Sequence, residues 1–198
     1  MMKIAFSVMC CCLLMAGSVH AVEKVKGDEV LSVIHSRKSV RNFTGASVSM
    51  TDLDKVLRAG MAAPSAKNMQ PWSFVVVTDR KLLDSLAAGL PSAKMLFKAG
   101  AAIIVCTDPK LASVKSQDYA VIDASLAGEN ILLAVESLGL GAVWTAAFPD
   151  PARMTLVRGV LGIPQDIIPL NVIAVGVATG EDKPKDKYKK ERIHWQKW

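Results

Sequence analysis

An α+β fold is what this sequence predicts, and two kinds of pattern predict it. Short β-branched runs at Ser73–Thr78, Ala101–Thr107 and Asn171–Val177 have the composition of strands. Between and around them lie segments with apolar residues at helical spacing. The two kinds do not alternate strictly as β-α-β, so α+β is preferred over a doubly wound sheet.

Taken in order, Gly27 to Arg37 carries Val30, Leu31, Val33 and Ile34 and suits a short helix. Ser49-Met-Thr-Asp52 reads as a capping box that opens a helix with Leu53, Val56, Leu57 and Met61 on one face. Phe-Val-Val-Val inside Ser73–Thr78 predicts a buried strand, followed by a short helix from Lys81 to Ala88. Ala101–Thr107 is a second buried strand. Asp118 to Leu138 is the longest helix and has little polar face. A helix apolar nearly all round must be covered on most sides, and one small domain cannot easily do so. Part of it is therefore expected at a subunit interface. Gly139 and Gly141 stop it. Ala142–Ala147 and Asn171–Val177 are further strands, Pro149-Asp-Pro-Ala-Arg opens a helix reaching Leu161, and Ile193 to Gln196 is a candidate last edge strand.

The chain has 198 residues, 51% of them hydrophobic, enough for one domain with a sizeable core. The net charge is only +6 and aromatics make up 6%, with no basic stretch interleaved with aromatic residues. That excludes an obvious nucleic-acid surface. Met1 to Lys3 gives a positive start, Ile4 to Met15 is apolar, and Val19-His20-Ala21 has small residues at the cleavage positions. This is the layout of a secretory signal peptide, residues 1–21, cut after Ala21 to leave a domain of residues 22–198. Export to the periplasm or medium follows, with no stable membrane insertion after cleavage. The alternative is a membrane anchor, by an uncleaved leader or by lipid on Cys10, Cys11 or Cys12. The apolar run is short of the ~20 residues of a spanning helix. After cleavage only Cys106 remains, and its apolar setting reads as a small buried hydrophobe.

Four segments carry candidate chemistry. Ser36-Arg37-Lys38-Ser39-Val40-Arg41 sets three cations and two hydroxyls after a helix. It suits a phosphate, or is simply a basic helix end. Ala63-Pro-Ser-Ala-Lys-Asn-Met-Gln-Pro-Trp72 is a polar loop fixed by prolines at both ends. Gly139-Leu-Gly-Ala-Val-Trp-Thr-Ala-Ala-Phe148 lets a planar ligand approach the backbone, yet ends a helix and so is not a dinucleotide fingerprint. Lys183 to Arg192 is a basic, solvated tail by composition.

In this order the segments resemble the nitroreductase family of oxidoreductases that depend on flavin mononucleotide (FMN). The resemblance runs from about Val30 to the C-terminus. It implies that Arg37, Lys38 and Ser39 hold the ribityl phosphate and the pyrimidine side of the flavin, with Arg41 near N1 and O2. Asn68, with Pro64 and Ser65, would reach the polar ring edge from the partner subunit. Backbone groups near Trp144, Thr145 and Ala146 would face N5, and Lys185 and Lys187 would meet the phosphate. It also implies a central mixed or antiparallel sheet flanked by helices, in an intertwined homodimer whose C-terminal tail reaches the partner.

The flavin carries the chemistry in this family, so no catalytic side chain is assigned, and no residue spacing suggests a metal site. NAD(P)H or another electron donor would be co-substrate. A short segment from Asp108 to Gln117 predicts an open pocket for flat nitro- or quinone-type acceptors. Absence of Glu and Tyr between Asp79 and Gln117 argues against the deiodinase branch. An exported FMN-binding protein without turnover and the flavin-cleaving branch are the alternatives.

Overall fold

The computed structural model describes residues 27–198. The leader, its cleavage after Ala21 and Cys10 to Cys12 lie outside the described residues. Five helices and five strands form in the order α1 (Gly27–Ser36), α2 (Met50–Met61), β1 (Trp72–Val77), α3 (Arg80–Gly89), β2 (Ala101–Thr107), α4 (Gln117–Ser137), β3 (Gly141–Ala146), α5 (Pro151–Leu161), β4 (Ile168–Pro169) and β5 (Asn171–Gly176).

Helix starts follow local chemistry. Ser49 Oγ accepts a hydrogen bond from the Asp52 backbone N–H at 3.0 Å, which caps α2. Asp79 caps α3 through the Leu82 N–H. Asp150 caps α5 by accepting from the Ala152 and Arg153 N–H groups, with Pro151 in the first turn where no donor is needed.

The sheet order is β1-β2-β5-β3, with every neighbouring pair antiparallel. β4 and β5 share one side of β2. Cys106 faces Pro169 and Ile103 faces Ile173, so three steps on β2 oppose four on the other chain segment. The extra residue is a β-bulge. Leu170 N–H still donates to the Val105 carbonyl, and the Asn171 side-chain oxygen accepts from the Val105 N–H. A side-chain amide thus repairs the ladder where the backbone leaves it.

Strand alternation sorts the core into two layers. Ala102, Ile104 and Cys106 of β2 face Leu83 and Leu86 of α3 and Val157 of α5. Ile103 and Val105 face Leu53 and Val56 of α2 and Ile131 and Val135 of α4. β2 and β5 are buried throughout, which is why they read as unbroken apolar runs. Each such Ile or Leu contributes about 1.5–3 kcal/mol by leaving water.

Three expectations need correction. β1 is not a fully buried strand: it sits at the sheet edge with β2 as its neighbour, and most of it is half-buried. Met61 is exposed, because the last turn of α2 runs past the sheet. Ile193 to Gln196 forms no strand among the described residues. A one-turn helix at Lys190–Arg192 precedes it, and Gln196 has a left-handed φ of 64°, which breaks the extended backbone a strand needs.

α4 buries Ala120, Ala124, Ala127, Ile131 and Val135 but leaves Ile122 and Leu126 exposed. α1 buries none of its residues, although Val30, Leu31 and Ile34 are apolar. No helix among the described residues is long and apolar enough to cross a membrane.

Candidate functional site

The end of α1 and the chain after β5 meet on one side of the sheet. Ser39 bridges to Ala142 of β3, and the Val40 N–H donates to the Ala142 carbonyl at 2.9 Å. This zips residues 39–40 onto the free edge of β3. Gly141 is required there, because a Cβ would lie 2.7 Å from Val40 Cγ1. Phe43 bridges to Ala178, and Asp182 Oδ2 accepts from the Arg41 and Asn42 N–H groups, both at 3.1 Å. The tail is therefore pinned across the basic segment.

Between them lies a cleft of about 620 Å³ lined by Arg37, Lys38, Ser39, Arg41 and the tail from Glu181 to Lys187, including Lys185. Six of its lining residues are cationic and two, Glu181 and Asp182, are acidic. The excess suits a phosphate dianion. Two of the cations are partly balanced from α4. Lys38 Nζ pairs with Glu136 at 3.2 Å, and Arg37 Nε approaches Glu129 at 3.5 Å. Lys38 thus lines the cleft with its charge already met, while Arg41, Lys185 and Lys187 carry the surplus.

Arg41 also lines a second cleft of about 560 Å³, with Trp144, Thr145 and Ala146 at the end of β3 and Arg153 of α5. The side chains of β3 are engaged elsewhere. Thr145 Oγ1 donates to the Val172 carbonyl at 2.6 Å, and the Trp144 ring lies against Gly128 of α4. What β3 offers this cleft is backbone and the small Ala146, as close approach of a flat ligand requires.

Pro64, Ser65 and Asn68 line neither cleft within the chain. Their loop is nevertheless held firmly. Ser65 Oγ accepts from the Gln70 N–H, and Asn68 Oδ1 accepts from Gln70 Nε2. The Ala66 N–H donates to Oδ1 of Asp123, a buried carboxylate of α4, at 3.0 Å. Lys67, Asn68 and Gln70 all have φ near +50°, a region that Asn tolerates better than most residues.

The nitroreductase family profile matches residues 34–95 and 84–177, most of the chain. This chain belongs to the nitroreductase family. A provisionally named NADH dehydrogenase/NAD(P)H nitroreductase of Archaeoglobus fulgidus is 42% identical over 174 residues, covering 86% of this chain and 99% of that protein. The crystal structure of a protein so named from Bacteroides thetaiotaomicron is 49% identical, with a TM-score of 0.81 and coverage of 87% and 100%. An FMN-dependent nitroreductase from Clostridium difficile is 25% identical, with a TM-score of 0.77 and coverage of 85% and 99%.

Reading the sequence of this nitroreductase-family chain did not single out Arg153 or the turn at Pro91 to Met95, which complete the second cleft. Arg153 shows itself only as the third residue after the Asp150 cap, a position with no distinctive signal. The family's chemistry makes no demand on Cys106, and its setting agrees. Burial pushes the thiol up to about 12, and nearby Arg158 lowers it by less. The folded protein should therefore resist iodoacetamide at pH 8, with labelling appearing only on unfolding. Rapid native labelling, read by mass spectrometry, would contradict the burial. Because the folded thiol holds its proton longer than an unfolded one, the stability it contributes is present below pH ~9 and falls as pH rises toward 12.

Proposed function

We propose that this nitroreductase-family oxidoreductase binds FMN across the two clefts and passes electron pairs to a small, flat acceptor of the nitro or quinone type. The observation that carries the reading is the meeting of Arg37, Ser39, Lys185 and Lys187 around one cleft, with Arg41 lining both it and the cleft at the end of β3. A phosphate fits the first cleft and a planar ring the second. When bound, the flavin supplies two-electron chemistry, taking a hydride from a donor and giving it to the acceptor. The chain supplies position and charge. The cations hold the phosphate. Arg41 places positive charge at the junction, which favours negative charge on the ring. The β3 backbone and Ala146 leave room for close approach, and a water or a backbone N–H serves as proton source.

Two copies of the chain complete the site in this reading. The exposed apolar faces of α1 and α4 are surfaces a second copy would cover. Pro64, Ser65 and Asn68 stand apart from their own chain's clefts, on a loop stiff enough to serve a partner's. The tail beyond Lys187 is exposed, with Trp195 80% accessible, and it is free to lie on another subunit. The leader, read as a signal peptide, points to export. The donor is NAD(P)H, which the names of its relatives carry, or, outside the cytoplasm, a membrane or periplasmic carrier.

The test is anaerobic. The purified mature protein should take up FMN saturably, sediment as a dimer, be reduced by an added donor and be reoxidised by a nitroarene. Reduction without reoxidation would leave a flavin-holding protein without turnover. A protein that stays colourless in excess FMN, or is a stable monomer, would sink the proposal.

A further inference from the structure

Beyond Arg41, the second cleft carries two cations, Lys94 and Arg153, that the flavin reading does not use. Its lining holds three cations, Arg41, Lys94 and Arg153, and no carboxylate. Lys94 has two of its three donors engaged by the carbonyls of Ala87 and Ala88 at the end of α3, so it gives the cleft charge with little free grip. Arg153 is different. Its Nε meets Asp150 Oδ2 at 3.2 Å, and its Nη1 reaches the Ala146 carbonyl at 3.4 Å. Asp150 is itself fixed, since its other oxygen caps α5. The guanidinium is thus held through Nε and one hydrogen of Nη1 at the tip of β3, which leaves the end-on pair of Nη1 and Nη2 hydrogens. Among the described residues its Nη2 has no hydrogen-bond partner. A guanidinium so held presents its remaining donors as a fork, the geometry that meets a carboxylate or phosphate oxygen pair. Asp150 offsets one of the three charges, and the field left in the cleft still favours an anion.

We propose that Arg153 selects co-substrates that carry an anionic oxygen group, either a carboxylate on a flat aromatic acceptor or a phosphate on an electron donor. The proposal rests on the FMN reading, because it takes the β3 tip as the place where a co-substrate stacks. A ring beside Ala146 would bring a substituent at its rim to Arg153, against a wall formed by Pro91 and Met95. Neutral rings would enter the same cleft without that contact. Arg153 is then a specificity-determining residue, and its effect is a ratio between charged and neutral ligands of one shape.

The experiment uses the FMN-loaded protein and two matched pairs. Benzoate and benzamide share a shape and differ in charge; their binding is read by calorimetry and by the shift of the flavin absorption bands. NADPH and NADH differ by one phosphate; they are compared through kcat/KM for flavin reduction. In the wild type at least one pair should favour the anion. In Arg153→Gln that preference should fall by roughly tenfold or more, the loss expected for a charge-assisted hydrogen bond. A fall in the benzoate ratio assigns the acceptor as the source of the anion, and a fall in the NADPH ratio assigns the donor. Arg153→Lys, with the charge but not the fork, should restore part of the preference, which loss of a merely structural contact would not predict. Ratios that Arg153→Gln leaves within about twofold of the wild type overturn the proposal. Flavin content is measured first for each variant. A wild type that takes up no FMN overturns this proposal and the reading beneath it. A wild type that binds FMN yet shows no preference in either pair overturns this one alone.

Discussion

FMN affinity should fall about 100-fold when Lys185 and Lys187 are both replaced by alanine, on the order of tenfold for each lost charge-assisted contact. Both side chains are exposed, so thermal stability should not move. The cleft they line keeps Arg37, Ser39 and Arg41, and residual binding should come from those. The effect should also shrink as salt rises, because the screening length falls from about 10 Å at 0.1 M to about 3 Å at 1 M and exposed charges feel it most. A titration of flavin fluorescence against protein, at two ionic strengths, measures all of this. A dissociation constant within about threefold of the wild type would mean that the tail does not serve the phosphate.

The second large effect falls on stability. Gly128 lies on the buried face of α4 under the Trp144 ring, and a Cβ there would sit 2.3 Å from Trp144 Cζ3. Alanine in a helix gains about 1 kcal/mol over glycine. Overpacking a core typically costs about 1–3 kcal/mol, and here the obstacle is a rigid ring held in the layer between sheet and helix. The clash should therefore win. We expect Gly128→Ala to lower the Tm by roughly 2–8 °C, a net loss of about 1–2 kcal/mol at ~2–4 °C per kcal/mol for a chain of this size. Adding Trp144→Phe, which removes the clashing part of the ring, should recover much of the loss. Independent, additive losses in the double variant would show that the contact is not the cause. Because Trp144 and the Thr145–Ala146 backbone move together on β3, Gly128→Ala should weaken FMN binding as well.

How much of this could be read in the sequence depends on how local each feature is. β2 and β5 are unbroken apolar runs because helices cover both faces of the sheet, and such runs are visible without a structure. α2 was legible from Ser49 and Asp52, since a cap is a bond between near neighbours. β4 was not, because a bulge at Leu170 breaks one long strand into two pieces and leaves the first with two residues. Ile193 to Gln196 has strand-like composition, but a strand needs an edge to pair with, and composition does not supply one. The site divides in the same way. Arg37 to Arg41, the Pro64 to Gln70 loop and the β3 segment are compact motifs that survive as resemblance. The balance of Lys38 by Glu136, and the assembly of Arg41, Met95 and Arg153 around one cleft, are products of packing between distant segments. No spacing rule reports them.

The cleft proposed for the phosphate has one wall from just after the first helix and the other from beyond the last strand, with Asp182 tying the two together. A growing polypeptide could therefore build the entire sheet and still have nowhere to seat the ligand. Cofactor acquisition in such a protein must be posttranslational, and a chain threaded through a membrane unfolded would arrive as an empty apoprotein that scavenges its flavin at the destination.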